Sequence, residues 1–232
     1  MKRRAATTRE ADGPKTKKMK RVATSSRAMT VPRNSFNSGP AGYSMKTGLT
    51  YYTQIQLEPG LGTAAFAKFR ANDLFDPTEA VGGHQPYGFD QLMALFDHFT
   101  VLSSKATVKC YNNNSSLPVI MYVHLADNAS LSGTSPEDVL ERPGVVSTLV
   151  SAKGGSDVGQ ITKAFSADKF FNKKVANSSE FKGSASASPS EQAFFYVGVA
   201  PQWGGDDPQL ITVQVHIDYW AVFTEPKVLT NS

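Results

Sequence analysis

The feature that most constrains this chain lies near its C-terminal end. Ile211, Val213, Val215, Ile217, Tyr219, Ala221 and Phe223 occupy every second position, with Thr212, Gln214, His216 and Asp218 between them. Side chains of an extended strand point alternately to two faces, so the pattern specifies a long β-strand with one buried face. A strand cannot bury a face alone; the rest of the chain must supply a sheet and a second layer to cover it. The segment before it, Gln192–Ala200, is apolar on both faces, the composition of a central strand covered from two sides. A polar loop, Pro201–Pro208, separates the two.

The same period recurs upstream. Tyr51, Thr53, Ile55 and Leu57 alternate with Tyr52, Gln54, Gln56 and Glu58, which predicts a strand over 47–58 closed by Pro59-Gly60. Further strands are predicted over 63–70, 100–111, 117–126, 145–151, 159–167, 192–200 and 209–223. In the third, Leu102, Ala106, Val108 and Cys110 are assigned one face, which makes Cys110 a small buried apolar residue rather than a nucleophile. Helix is confined to two connections. Asp90–Phe99 sets Leu92, Leu95, Phe96 and Phe99 at helical spacing. Ser135 precedes Pro136, Glu137 and Asp138 as an N-cap followed by proline and acids in the first turn. Eight strands without a βαβ rhythm predict an all-β chain, an eight-stranded antiparallel sandwich or jelly roll in one domain. A chain of 232 residues buries a core without staples, and its single cysteine permits no internal disulfide.

Charge divides the chain. Residues 1–33 hold eleven Lys and Arg against Glu10 and Asp12, a net of +9; the remainder holds thirteen basic and eighteen acidic side chains, a net of −5. Residues 1–43 lack hydrophobic periodicity, and too little apolar surface is present there to offset chain entropy, so they read as a disordered basic arm preceding a domain over 44–232. Its cations are Lys2, Arg3, Arg4, Arg9, Lys15, Lys17, Lys18, Lys20, Arg21, Arg27 and Arg33. Flexible cations of this density neutralise nucleic-acid phosphates. Lys2-Arg3-Arg4, separated by ten residues from Lys15, Lys17, Lys18, Lys20 and Arg21, resembles a bipartite nuclear localisation signal, which implies a nuclear import receptor as partner. No run approaches the roughly 18 apolar residues of a membrane helix, so no membrane partner is expected, and no apolar segment follows the basic N-terminus as a secretory signal requires.

Chemistry has no visible carrier. His84, His98, His124 and His216 stand apart from one another, without metal-ligand spacing. No nucleophile elbow, phosphate-binding glycine loop or His-Glu-x-x-His is present. Asp206 and Asp207, in a glycine-rich loop, read as solvated turn residues in preference to calcium ligands. The chain is therefore expected not to be an enzyme and to need no metal or cofactor.

One segment remains, a long loop stiffened by prolines and rich in aromatics: Phe69-Arg70-Ala71-Asn72-Asp73-Leu74-Phe75-Asp76-Pro77, then Gly83-His84-Gln85-Pro86-Tyr87-Gly88-Phe89-Asp90-Gln91. A loop of that composition contacts either its own body or a neighbouring subunit. The paired motif resembles the capsid proteins of circular Rep-encoding single-stranded DNA viruses, the circovirus-like group. Arm, length, strand count and motif position agree with that family over essentially the whole chain. Departures are Thr78-Glu79 after the motif, Phe96 and Phe99 where tyrosines are usual, and an arm rich in lysine.

The resemblance implies a single eight-stranded antiparallel jelly roll with the motif between its second and third strands. It implies assembly of about sixty copies into an icosahedral T=1 shell. It further implies a packaged single-stranded DNA genome, a cell-surface receptor of unknown identity, and residence in the virion and, during assembly, the host nucleus. The connections 112–116, 153–157 and 201–208 would then share one end of the sandwich near a symmetry axis, and 181–190 would be a surface loop. The alternatives are the capsid protein of a small RNA or satellite virus and a nuclear jelly-roll binding module. For the second of these, Trp203 with Asp206 and Asp207 is the one candidate ligand loop.

Overall fold

The computed structural model describes residues 43–78, 83–128, 130–131, 134–155 and 158–228. The arm cations from Lys2 to Arg33, and with them the localisation clusters, lie outside the described residues. All described residues belong to the unit Asn34–Ser232.

Eight strands run in order: β1 (Ser44–Leu57), β2 (Ala65–Arg70), β3 (Phe96–Tyr111), β4 (Val119–Ala126), β5 (Val146–Val150), β6 (Gly159–Ser166), β7 (Phe194–Pro201) and β8 (Ile211–Pro226). They form two four-stranded antiparallel sheets, β1-β8-β3-β6 and β2-β7-β4-β5. First pairs with last, second with seventh, third with sixth and fourth with fifth. That nesting is a hairpin of hairpins rolled into two sheets, the jelly roll expected from the resemblance.

The alternating strand occupies the position its pattern demands. β8 lies between β1 and β3, and Ile211, Val213, Val215, Ile217, Tyr219 and Phe223 are all fully buried on its inner face. β7 lies between β2 and β4 and is buried at all eight residues. Its inner residues Phe195, Val197 and Val199 join the main core. Its outer face is covered by the chain itself. The connection between β4 and β5 brings Val139, Leu140 and Val145 onto Ala64, Phe66, Tyr122 and Ala200, a second small core outside the sheet. Gly198 admits this arrangement: a Cβ there would penetrate the buried Tyr122 ring.

Two departures concern β3. The predicted helix 90–99 ends early: α1 spans Phe89–Met93, and β3 has begun by Phe96. Phe96 pairs with Pro226 and Phe99 with Phe223, so the overlong β8 templates strand where local spacing also permits helix. The aromatic rings gain mutual contact there, with Phe99 edge-on to Phe89 at 5.5 Å. A bulge between Val101 and Ser103 then shifts the register. A single extra residue flips facing, so Ser104, Ala106, Val108 and Cys110 point inward and Leu102 leaves the face assigned to it.

The second predicted helix is present as α2 (Pro136–Leu140), with Ser135 Oγ accepting from the Asp138 N–H at 3.1 Å. A third, α3 (Ala167–Phe170), and 3-10 turns at Val175–Asn177 and Ser179–Phe181 follow β6. Asp168 organises them, accepting from the Val175 N–H at 3.0 Å and from Lys174 Nζ at 2.7 Å. The 181–190 segment is pinned at both ends. Phe181 and Pro189 are buried, and Gly183 exchanges two backbone bonds of 2.9 Å with Phe99, leaving Ala185–Ala187 and Ser190 exposed.

Candidate functional site

The motif segment is organised around β2 and the ends of β7 and β8. Arg70 Nη1 binds the Asp76 carboxylate and, at 2.8 Å, the Asp76 carbonyl, while Nε donates to Gln192 Oε1 at 3.2 Å. Asn72 is buried and bonds twice to the strand entering β7: Nδ2 donates to the Glu191 carbonyl at 2.8 Å, and Oδ1 accepts from the Ala193 N–H at 2.9 Å. Ser104 Oγ donates to the Ala71 carbonyl at 2.6 Å, and Tyr219 Oη donates to the Arg70 carbonyl at 2.8 Å. A buried loop backbone must be satisfied somewhere, and these side chains do it.

Asp73 is fully buried. Its Oδ1 accepts from the Phe75 N–H at 3.0 Å, while Oδ2 has no partner. Burial raises its carboxyl above the usual carboxylate range, against the lowering pull of Ser188, the Phe75 N–H and Arg70. Burial likewise raises the Tyr219 phenol well above its usual value. Phe69 is buried in the core, Phe75 is half-buried against it, and Pro77 lies buried where its carbonyl accepts from the Arg70 N–H at 2.8 Å.

The second half of the motif is more exposed. Gly83 and His84 are open to solvent, but the His84 ring stacks on buried Tyr51 with centroids 4.7 Å apart. Gln85 is half-buried. Pro86 is buried and accepts from the Phe89 N–H at 3.1 Å. Gly88 caps α1 in the left-handed region, at φ 88°, a conformation glycine adopts without strain. Phe89 fills the core, and Asp90 and Gln91 face outward next to the fully exposed Tyr87. The segment thus ties itself to its own body through Arg70, Asn72 and Phe89 and presents Tyr87, Asp90 and Gln91 outward. Sequence reading missed Ser104, Gln192, Glu191 and Tyr219 as partners. Only Ser104 left a trace, as a polar residue between inward-facing apolar ones.

At the opposite end of the sandwich, connections far apart in sequence are bonded together. Asn112 Nδ2 donates to the Leu117 and Ser151 carbonyls at 2.9 and 3.0 Å. Lys153 N–H donates to Ser115, Asn114 Nδ2 to Leu210, and the Gly62 N–H to Asp206. The loops after β1, β3, β5 and β7 are therefore bonded together at one end, which brings there the described residues of the three expected connections. Trp203 and Leu61 are exposed there. Asp206 serves as a turn residue through its backbone, its N–H bonding the Trp203 carbonyl at 3.0 Å.

No group of three or more His, Cys, Asp or Glu side chains converges among the described residues. Cys110 is buried, as its strand parity predicted, and burial pushes its thiol up to about 12. His124 is buried in β4 with its imidazole pKa lowered by burial and by Arg142 and Lys163. His216 is exposed beside Asp218 at 3.2 Å. Among the described residues no helix is long and apolar enough to cross a membrane.

No protein-family model and no curated protein sequence matches the chain. Solved structures do. A chain of the cryo-EM structure of Mud crab tombus-like virus is similar over 81% of this chain and 91% of its own, at 9% identity and TM-score 0.51. The likeness is one of fold, the eight-stranded jelly roll. The decameric BFDV capsid protein is similar over 78% of this chain and 99% of its own, with 12% identity and TM-score 0.43. A semi-empty VLP of Macrobrachium rosenbergii nodavirus is similar over 98% and 97%, with 10% identity and TM-score 0.44. Identities this low speak of fold alone.

Proposed function

We propose that the chain is a viral capsid protein that self-assembles into an icosahedral shell of about sixty copies and packages a single-stranded DNA genome through its basic arm. The observation that carries the reading is the joining of a +9 segment to an acidic jelly roll of viral fold. The division of charge supports it: arm cations gather phosphate, while a body of net −5 does not hold nucleic acid over its whole surface. The loop surface around Asn112, Lys153 and Trp203, and the outward residues Tyr87, Asp90 and Gln91, are the parts of the body offered to neighbouring subunits. The two basic clusters of the arm, Lys2–Arg4 and Lys15–Arg21, would also be read by a nuclear import receptor, placing assembly in the host nucleus. Attachment to a cell-surface receptor falls to loops on the outside of the shell.

The purified full chain is expected to form closed shells of one size in electron micrographs. The encapsidated nucleic acid should succumb to DNase, not RNase, once the shells are opened. The slope of log binding constant against log salt should approach about −6 for nine arm contacts with a single strand. Replacing Lys15, Lys17, Lys18, Lys20 and Arg21 by glutamine should cut that slope roughly in half. A chain that stays monomeric under every assembly condition overturns the capsid reading; RNase-sensitive contents overturn the DNA assignment alone.

A further inference from the structure

The two sheets are finished differently on the outside. The β2-β7-β4-β5 face is covered around Tyr122 and Ala200 by Val139, Leu140 and Val145 of the connection that follows β4. The outer face of β1-β8-β3-β6 carries no such cover among the described residues, and its cross-strand rows are polar. Tyr52 lies beside His216 and His216 beside Thr107; Gln54, Gln214, Lys109 and Gln160 form the next row; Thr50, Asp218 and Lys105 the row on the other side. A groove of about 350 Å³ crosses these rows between Tyr52 and Gln160. A hollow beside Trp220, lined by Lys46, Gly48 and Leu102, extends the same face.

Two properties set this face apart from an ordinary solvated sheet. Tyr52 and Trp220 stand 47% and 46% exposed, presenting ring surface where the neighbouring rows are Gln, Thr and Lys. The face also carries Lys46, Lys105 and Lys109 against Asp218, a basic excess on a body whose net charge is −5. Asp218 is held by Thr50 Oγ1 at 3.0 Å, His216 at 3.2 Å and Lys105 at 3.8 Å. Lys46 and Lys109 make no ion pair among the described residues. Acids at the far end of the sheet are spoken for, Glu225 by Lys182 at 2.6 Å and Asp97 by Lys227 at 3.9 Å. Exposed rings on which bases stack, with cations tracking the backbone between them, are what a sequence-tolerant single-strand surface requires. The arm's sequence, moreover, runs directly into β1, the edge strand of this sheet.

We propose that this face is the body's own contact with single-stranded nucleic acid: Tyr52 and Trp220 stack on bases, and Lys46, Lys105 and Lys109 meet phosphates. The proposal rests on the reading of the chain as a genome-packaging shell protein and assigns this sheet to the shell interior.

The test uses tryptophan emission, because the chain has two tryptophans and Trp203 lies in the loop after β7. In the full-chain W203F variant only Trp220 emits. Titration with oligo-dT or oligo-U should quench that emission about two-fold, and the quench should fall off with salt less steeply than the binding seen by gel retardation, because three lysines of the face meet phosphate where the arm brings eleven cations. A duplex of equal length, its bases already stacked, should bind through the arm without quenching. Adding Y52S, or K105Q with K109Q, should weaken the quench-reported affinity about ten-fold. Emission that stays constant while gel retardation reports binding overturns this proposal and leaves the arm reading standing; equal quenching by duplex overturns the stacking assignment. Absence of any binding by the full chain removes the packaging reading itself.

Discussion

Replacing Asn72 by alanine should destabilise the folded subunit, and the structure sets the size of the effect. The side chain is 2% exposed and makes two bonds, one donated to the Glu191 carbonyl and one accepted from the Ala193 N–H. Alanine removes both partners. Glu191 is exposed, so its carbonyl recovers a bond from water and the loss there is about 1 kcal/mol. Ala193 is fully buried, so its N–H is stranded, and an unsatisfied buried donor costs about 2 kcal/mol. The sum is about 3 kcal/mol, which for a domain of this size lowers the melting temperature by roughly 6–12 °C. The assay is thermal unfolding of unassembled full-length protein by circular dichroism, wild type and N72A at equal concentration. An N72A chain that melts within about 1 °C of wild type yet fails to form shells would refute the reasoning, since the segment would then act between subunits and not within one.

Three further outcomes are expected. Gly198→Ala forces a Cβ into the buried Tyr122 ring, and the resulting shift should cost about 1–3 kcal/mol in a urea titration; an unchanged midpoint would mean the small outer core around Tyr122 is loosely packed. Cys110, with its thiol raised to about 12, should resist iodoacetamide in the native protein at pH 8 and react rapidly in denaturant, so equal labelling rates would contradict its burial. Asp73 is raised above its ordinary 3.8, so the ionised carboxylate is worse placed in the folded chain than in the unfolded one. That penalty is absent below pH 3.8 and complete above the raised folded value. D73N should therefore gain stability relative to wild type as pH climbs from about 3 to 7, and a pH-independent difference between the two would refute the assignment.

The motif segment illustrates what local sequence can and cannot convey. Its prolines, aromatics and backbone-bonding side chains mark 69–91 as an ordered loop with something to grip. The grip itself involves Ser104, Glu191, Ala193 and Tyr219, dozens to more than a hundred positions away, and no local pattern names those partners. Helix 90–99 failed for a related reason. Leu92, Leu95, Phe96 and Phe99 satisfy a helical period, but a long β8 offers paired backbone bonds to anything laid alongside it, and the choice between helix and strand passes to that neighbour. By contrast Ser135-Pro136-Glu137-Asp138 carries its helix start within four residues, and that start appears as read.

Strand number and type, the burial of Cys110 and the segregation of charge at residue 33 were determined by the sequence itself, because each depends on period, composition or counting along the chain. Tertiary structure decided what depends on register across strands. It set the bulge that turns Leu102 out and Ser104 in, and it laid Val139, Leu140 and Val145 over one sheet while the other carries no such cover among the described residues. The open sheet owes Tyr52, Trp220, Lys105 and Lys109 to three different strands. Each looks like an unremarkable polar-face residue in its own strand, and only pairing of β1, β8 and β3 sets them on one surface.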